Sequence, residues 1–284
     1  MRLRAIALVA ATLAFLLLVG PAAAQEKVAG TYGQGPEVFS LATGSPGELG
    51  LLKALGEGFS QEQGGKTSLN WIKAGSGQSL QLLKDKKVDL IMVHAPKAEK
   101  QAVQDGWAAK RTLLGSNEFF IVGPANDPAK IKEAKSAIDA YQKIAAAKAK
   151  FFSRGDNSGT HKKEMGIWQE AGIKPAGDWY VVTKDFMTAT LKRANDEKGY
   201  FMVDSSTWVA EKKNLPDLSV LFKGDKALVN TYHALAQPPG AAIGVKFIDF
   251  VASEKGQKII KEYGQDKHGE GLYNDAEYAK KYDH

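Results

Sequence analysis

Apolar residues in this chain come in two alternating kinds of run. Short, nearly continuous runs read as strands: 38–42, 69–72, 88–93, 119–122, 150–153, 179–182, 200–203, 218–222 and 229–236. The run 88–93 is so evenly apolar that it predicts a parallel strand buried on both faces. Between these runs the spacing turns helical. Leu51, Leu52, Leu55 and Phe59 share one face and stop at Gly64-Gly65; Leu80 and Leu83 follow Gly75-Ser76-Gly77. Helices are further predicted at 98–104, around Ile138, Tyr141, Ile144 and Ala145, over 160–171 with Gly172 just past the end, and around Met187, Thr190, Leu191 and Ala194. Ser205 or Ser206 can cap another short helix, and the tail from Ala241 onward is mostly helical. The stretch 30–36 reads as a Gly/Pro-rich leader loop and 124–130, with Pro124 and Pro128, as a linker.

Strands alternating with helices predict an α/β chain with mostly parallel sheets flanked by helices. The alternation breaks near 124 and again near 225, which divides the chain into two lobes joined by two crossings. One lobe is formed by 25–123 together with 228–284, the other by 124–227.

The first 24 residues stand apart. Arg2 and Arg4 precede an apolar run of about 15 residues, Gly20-Pro21 breaks it, and Ala22-Ala23-Ala24 supplies small residues. This is a secretory signal pattern with cleavage before Gln25; the run is short of the roughly 20 residues that a membrane span needs. No later run reaches about 18 apolar residues. The formal charge is +6, and removing the two leader arginines leaves +4. That is a weak bias toward anions, and the lysines are too scattered to mark a nucleic-acid surface. The chain has no cysteine, which excludes disulfides, thiolate metal sites and a cysteine nucleophile.

The candidate chemistry sits where strands hand over to helices. Thr43-Gly44-Ser45 follows the first strand, Gly75-Ser76-Gly77 the second, and Ser153 to Thr160, with Arg154 inside, follows the first strand of the second lobe. Such loops offer hydroxyls, uncommitted backbone N–H groups at helix N-termini and a guanidinium, which together hold an oxyanion without a metal ion. Open α/β sheets bind ligands at the carboxyl ends of their strands, where these loops fall. Capping alone accounts for Gly75-Ser76-Gly77 as readily as binding does; the arginine in the third loop tips that loop toward a ligand. Asp156 would oppose an anion, so its expected role is to fix Arg154 or the loop backbone. His94 reads as a polar rim residue, His161 as a neighbour of Arg154 or the ligand, His233 as isolated, and Lys162-Lys163 as a solvated face. Trp168, Trp179 and Trp208 read as core or cleft wall.

The run Phe152-Ser-Arg-Gly-Asp-Asn-Ser-Gly-Thr-His-Lys-Lys-Glu164, with Asp89-Leu-Ile-Met-Val-His-Ala-Pro96 and Asn117-Glu-Phe-Phe-Ile-Val-Gly-Pro124, resembles the periplasmic tungstate-binding proteins of Tup-type ABC transporters. The likeness extends over nearly the whole chain after the leader. It implies a type II periplasmic binding protein fold whose two lobes close on a tetrahedral oxyanion, tungstate or molybdate. It also implies delivery to an ABC permease, a location in the periplasm, a monomer, and no cofactor, with metal bound only as oxyanion. Residue by residue it implies Thr43 and Ser45, Ser76 beside Gly77, and Arg154, Ser158 and Thr160 beside Gly159. Two stretches depart from the family pattern. Ala42-Thr43-Gly44-Ser45-Pro46 replaces a Thr-Thr-Thr-Ser run, and Val203-Asp204-Ser205-Ser206-Thr207 lacks an arginine. Both leave open a receptor retuned to phosphate, sulfate or a small organic anion.

No enzyme is expected. Ser158 and His161 lie on one helical turn, with no nucleophile elbow and no carboxylate placed to orient the histidine.

Overall fold

The computed structural model describes residues 26–238 and 242–283. The expected leader and its cleavage point lie outside them. The chain begins with β1 (Val28–Gly33), β2 (Glu37–Thr43), a single turn α1 (Ser45–Glu48) and α2 (Leu51–Glu62). β3 (Thr67–Lys73), α3 (Ser76–Lys84), β4 (Leu90–Val93) and α4 (Pro96–Gln104) follow, and then the long β5 (Ala109–Pro124). The middle of the chain forms α5 (Ala137–Ala146), β6 (Phe151–Ser153), α6 (Gly159–Glu170), β7 (Tyr180–Val182), α7 (Met187–Asp196), β8 (Tyr200–Asp204), α8 (Ser205–Glu211) and β9 (Leu218–Phe222). β10 (Val229–Ala236) returns to the first half. There α9 (Ala242–Ala252), α10 (Glu254–Glu262), α11 (Gln265–His268), β11 (Asn274–Asp275) and α12 (Ala276–Ala279) complete the described chain.

The strands run in the order β1-β3-β2-β4-β10-β5-β8-β6-β7, with β9 and β11 also on β5. Parallel pairing is confined to β2 with β3 and β4, and to β6 with β7 and β8. β5 and β10 pair antiparallel to their neighbours. The sequence predicted mostly parallel sheets; the difference follows from the two crossings. A strand leaving the first half and one returning beside it must run in opposite directions.

β4 shows why its run is evenly apolar. Leu90 and Met92 face one core with Phe39, Phe59 and Phe247, while Ile91 and Val93 face another with Ala42, Leu83 and Leu235. The first core holds an edge-on aromatic group, Phe59 against Phe247 at 5.4 Å and against Phe39 at 5.8 Å. The second half has its own core around Trp168, whose ring lies 4.4 Å from that of Tyr141. Trp179 and Trp208 pack against this core. β1 is missing from the sequence reading because Val28–Gly33 is a largely exposed edge strand, specified by its pairing with β3 rather than by an apolar stripe.

The core around Trp168 encloses the carboxyl group of Glu164. Glu164 Oε1 accepts from Trp168 Nε1 at 3.1 Å and from the Tyr180 hydroxyl at 2.7 Å. Burial pushes its pKa up to about 7 against the pull of these donors. The folded chain therefore binds a proton there that the unfolded chain releases above its ordinary value. The associated stability is complete at low pH and is lost as pH rises through about 7. Glu164→Gln keeps an acceptor for both donors and removes the charge. It is expected to stabilise the protein by on the order of 3 kcal/mol at pH 8 and by little at pH 4.5. Urea unfolding of both proteins at the two pH values checks this, and parallel curves would rule it out.

Candidate functional site

One small polar chamber lies where the two halves meet. Its wall includes Thr43, Gly44, Ser45 and Pro46 from the β2–α1 turn, Gly75 and Ser76 from the start of α3, and Met92 and His94 from the end of β4. Tyr232 of β10 and Arg154 and Ser158 from the β6–α6 loop complete it. Of the sequence-predicted residues, Thr43, Ser45, Ser76, Arg154 and Ser158 thus come together. Gly77, Gly159 and Thr160 sit just outside the wall. A Cβ on Gly77 would meet the Asn157 backbone, and one on Gly159 would meet the His94 ring at 2.5–2.6 Å. The Thr160 hydroxyl is buried with no hydrogen-bond partner. At the Gly77 and Gly159 contacts the halves meet through glycine because even a methyl group would clash.

The hydroxyls differ in what they can give. Thr43 Oγ1 donates to the Met92 carbonyl at 2.8 Å, so its proton is committed to joining β2 and β4. Ser76 Oγ accepts from the His94 N–H, and Ser158 Oγ caps α6 by accepting from the His161 N–H, each at 3.2 Å. Both therefore keep a proton to donate. Ser45 Oγ has only a 3.5 Å contact with Asp204. Gly75 stands at the N-cap of α3 without a side-chain hydrogen bond. The first N–H groups of that helix are left for a ligand, and the positive ends of α3 and α6 both reach the chamber.

Arg154 is 4% exposed. Its Nε donates to the Asp185 carbonyl at 3.2 Å, one terminal nitrogen donates to Asp156 Oδ2 at 2.6 Å, and the guanidinium lies over the Phe186 ring. Asp156 Oδ1 also accepts from the Ser158 N–H at 3.1 Å, so the carboxylate fixes the arginine and the loop backbone together. Among the described residues the remaining N–H groups of this fork have no protein acceptor.

Several sequence expectations are corrected. His94 is part of the chamber wall rather than a rim residue. Its Nδ1 lies 2.8 Å from Asn230 Oδ1, its ring packs at a tilt against Tyr232 with centroids 4.9 Å apart, and burial lowers its pKa to about 4. His161 does not orient Arg154; its Nδ1 accepts from the Asn157 N–H at 3.0 Å. Lys163 is not a solvated face, since it donates to the carbonyls of Ala227 and Val229 at 2.9 and 3.1 Å. His233 is not isolated. It is buried between Glu99 and Asp283 at 3.0 and 3.1 Å, with Arg111 bridging the same two carboxylates. Glu99 also accepts from the Ala95 N–H at 2.6 Å, which fixes the loop behind His94. Among the described residues there is no group of three His, Cys, Asp or Glu placed to hold a metal ion, and no helix long and apolar enough to cross a membrane.

Two α/β halves closing on a chamber of donors define a solute-binding protein, and residues 22–255 match the profile of a PBP superfamily domain. The tungstate-binding protein TupA of Peptoclostridium acidaminophilum is 37% identical over 91% of this chain and 93% of its own length. The solved structure of a tungstate ABC transporter protein from Geobacter sulfurreducens is 37% identical, with a TM-score of 0.72, over 81% of this chain and 100% of that one. The tungstate-binding protein TupA of Desulfovibrio alaskensis G20 is 36% identical, with a TM-score of 0.69, over 84% and 98%. The chain belongs to the PBP superfamily and, within it, to the family of the tungstate-binding TupA proteins.

Proposed function

We propose that this protein captures tungstate, or molybdate of nearly equal size, as an intact tetrahedral dianion and delivers it to the permease of an ABC transporter. It acts as a binding protein and not as an enzyme. The leader 1–24 carries it to the periplasm, where it works as a monomer without a cofactor. Residues 25–123 with 228–284 form one lobe and 124–227 the other, hinged where β5 and β10 cross. The separate cores of the two halves support that division.

The observation that carries the reading is the donor set of the chamber. The Ser76 and Ser158 protons, Ser45, the unfilled part of the Arg154 fork and two helix N-termini converge with no uncommitted carboxylate among them. Fixed donors in a dry site hold an oxyanion without having to reorganise. Thr43, Gly77, Gly159 and Thr160 shape the site around these donors. Sulfate is smaller than tungstate and would leave some of the donors unpaired, each at a cost of about 1–3 kcal/mol.

The test is calorimetric titration of the chain from residue 25, stripped of ligand by partial unfolding, with tungstate, molybdate, sulfate and phosphate. One-to-one tungstate binding about a hundredfold tighter than sulfate is expected. Silence toward all four anions would overturn the reading.

A further inference from the structure

His94 stands apart from every other group on the chamber wall. The tautomer of its ring is set by a chain of polar side chains running back from the chamber. Asn117 Nδ2 donates to Ser206 Oγ at 2.8 Å and to Asp204 Oδ1 at 3.3 Å, which fixes the Asn117 amide. Asn230 Nδ2 then donates to Asn117 Oδ1 at 2.8 Å, which fixes the Asn230 amide. Asn230 Oδ1 is left facing His94 Nδ1, so that nitrogen carries the hydrogen. In the neutral ring Nε2 is therefore a lone pair, and among the described residues it has no hydrogen-bond partner. A chamber built largely of donors thus contains a ring nitrogen that can only accept.

A fully deprotonated oxyanion can only accept hydrogen bonds, so it cannot pair with that lone pair. The conflict resolves if the ring takes up a proton. We infer that His94 is a further residue that contacts and selects the anion: as the oxyanion enters, Nε2 takes one proton from solvent and donates it as a hydrogen bond to an anion oxygen. This rests on the oxyanion reading above and deepens it. The bond formed is N–H on Nε2, the proton comes from water or buffer, and the product is an imidazolium held between Asn230 and the anion.

The charged groups around the ring explain why the proton waits for the ligand. Arg154 and Lys163 from the other half oppose a positive ring, while Asp156 favours it. Burial outweighs the latter and keeps the empty site neutral, with a pKa of about 4. On its own half the ring faces uncharged Asn230, Tyr232 and Phe119. Behind them Asp204 accepts from Thr207 and Asn117 and lies 3.5 Å from Ser45 Oγ on the chamber wall. An anion carrying two negative charges reverses this balance more strongly than one carrying a single charge, so the ring favours dianions.

Calorimetry in two buffers of different ionisation enthalpy measures proton uptake directly. Tungstate binding at pH 6 is expected to take up close to one proton, falling toward zero at pH 8.5. Affinity should be about tenfold tighter at pH 6 than at pH 8. His94→Gln should abolish both effects, whereas His161→Gln should retain them. Tight tungstate binding without proton uptake, or uptake that survives in His94→Gln and vanishes in His161→Gln, overturns this inference alone. A wild-type protein that takes no anion at either pH overturns the oxyanion reading and this inference with it.

Discussion

Arg154→Ala is expected to weaken tungstate binding by roughly a thousandfold while leaving the fold intact. The magnitude follows from removing one member of a buried charge pair at a binding site, which costs about 2–5 kcal/mol. Two effects combine. The anion loses its one guanidinium donor, and Asp156, now satisfied by Arg154 at 2.6 Å, is left as an uncompensated carboxylate beside the chamber. The variant thus exchanges an attraction for a repulsion. Arg154→Lys keeps the charge but cannot donate to Asp156, the Asp185 carbonyl and the anion from one rigid fork, so an intermediate loss is expected. Calorimetry gives the affinities, and a cooperative thermal transition without ligand confirms the fold. Near-normal affinity in Arg154→Ala would remove this residue from the site.

Gly159→Ala tests closure rather than contact. No positive φ is found at Gly159, so alanine suits the local backbone, and in the first turn of a helix it is at least as favourable as glycine. The obstacle is the other half of the molecule. A Cβ at this position would lie 2.5 Å from His94 Cε1, and that ring is held by Asn230 and packed against Tyr232. The variant should fold with undiminished stability and still fail to bring its halves to the separation seen here. Tungstate affinity should fall about a hundredfold or more, since ligand binding must then select a state the added methyl group excludes. Small-angle scattering should show no contraction on adding tungstate where the parent contracts. Parental affinity in Gly159→Ala would mean that the glycine contact is not needed for binding.

How far the site could be read in advance depended on where its parts lie in the chain. The 153–160 loop was legible because its strand, its arginine, its cap and its helix are consecutive, so composition alone places the donors at one helix N-terminus. Ser45 and Ser76 were legible for the same reason, each following its own strand. His94 and Tyr232 were not, because they reach the wall through the pairing of β4 with β10, which brings distant segments side by side. One signal was available for His94: it is the first polar residue after an evenly apolar parallel strand, at the strand end where ligands gather. His233 looked isolated because Glu99 and Asp283 join it only through tertiary packing. The two α/β halves were legible in the alternation of runs. The long β5 was recognised only over its most apolar part, since its earlier residues are half-buried and carry Lys110 and Arg111.

The position of β10 has a consequence for how the molecule comes into being. β10 lies between β4 and β5, so the first sheet has a gap in its middle until residues 229–236 are in place. A chain delivered amino end first through a narrow pore cannot finish its first half while it is still threading. The second half can fold within one continuous stretch, but the first must wait for a strand that arrives about four-fifths of the way along. Such long-range pairing is slow to form. β1, β3, β2 and β4 can pair among themselves as they emerge, but the edges of β4 and β5 stay open until β10 arrives, so the chamber wall, which includes Tyr232, is completed only after about four-fifths of the chain has been made.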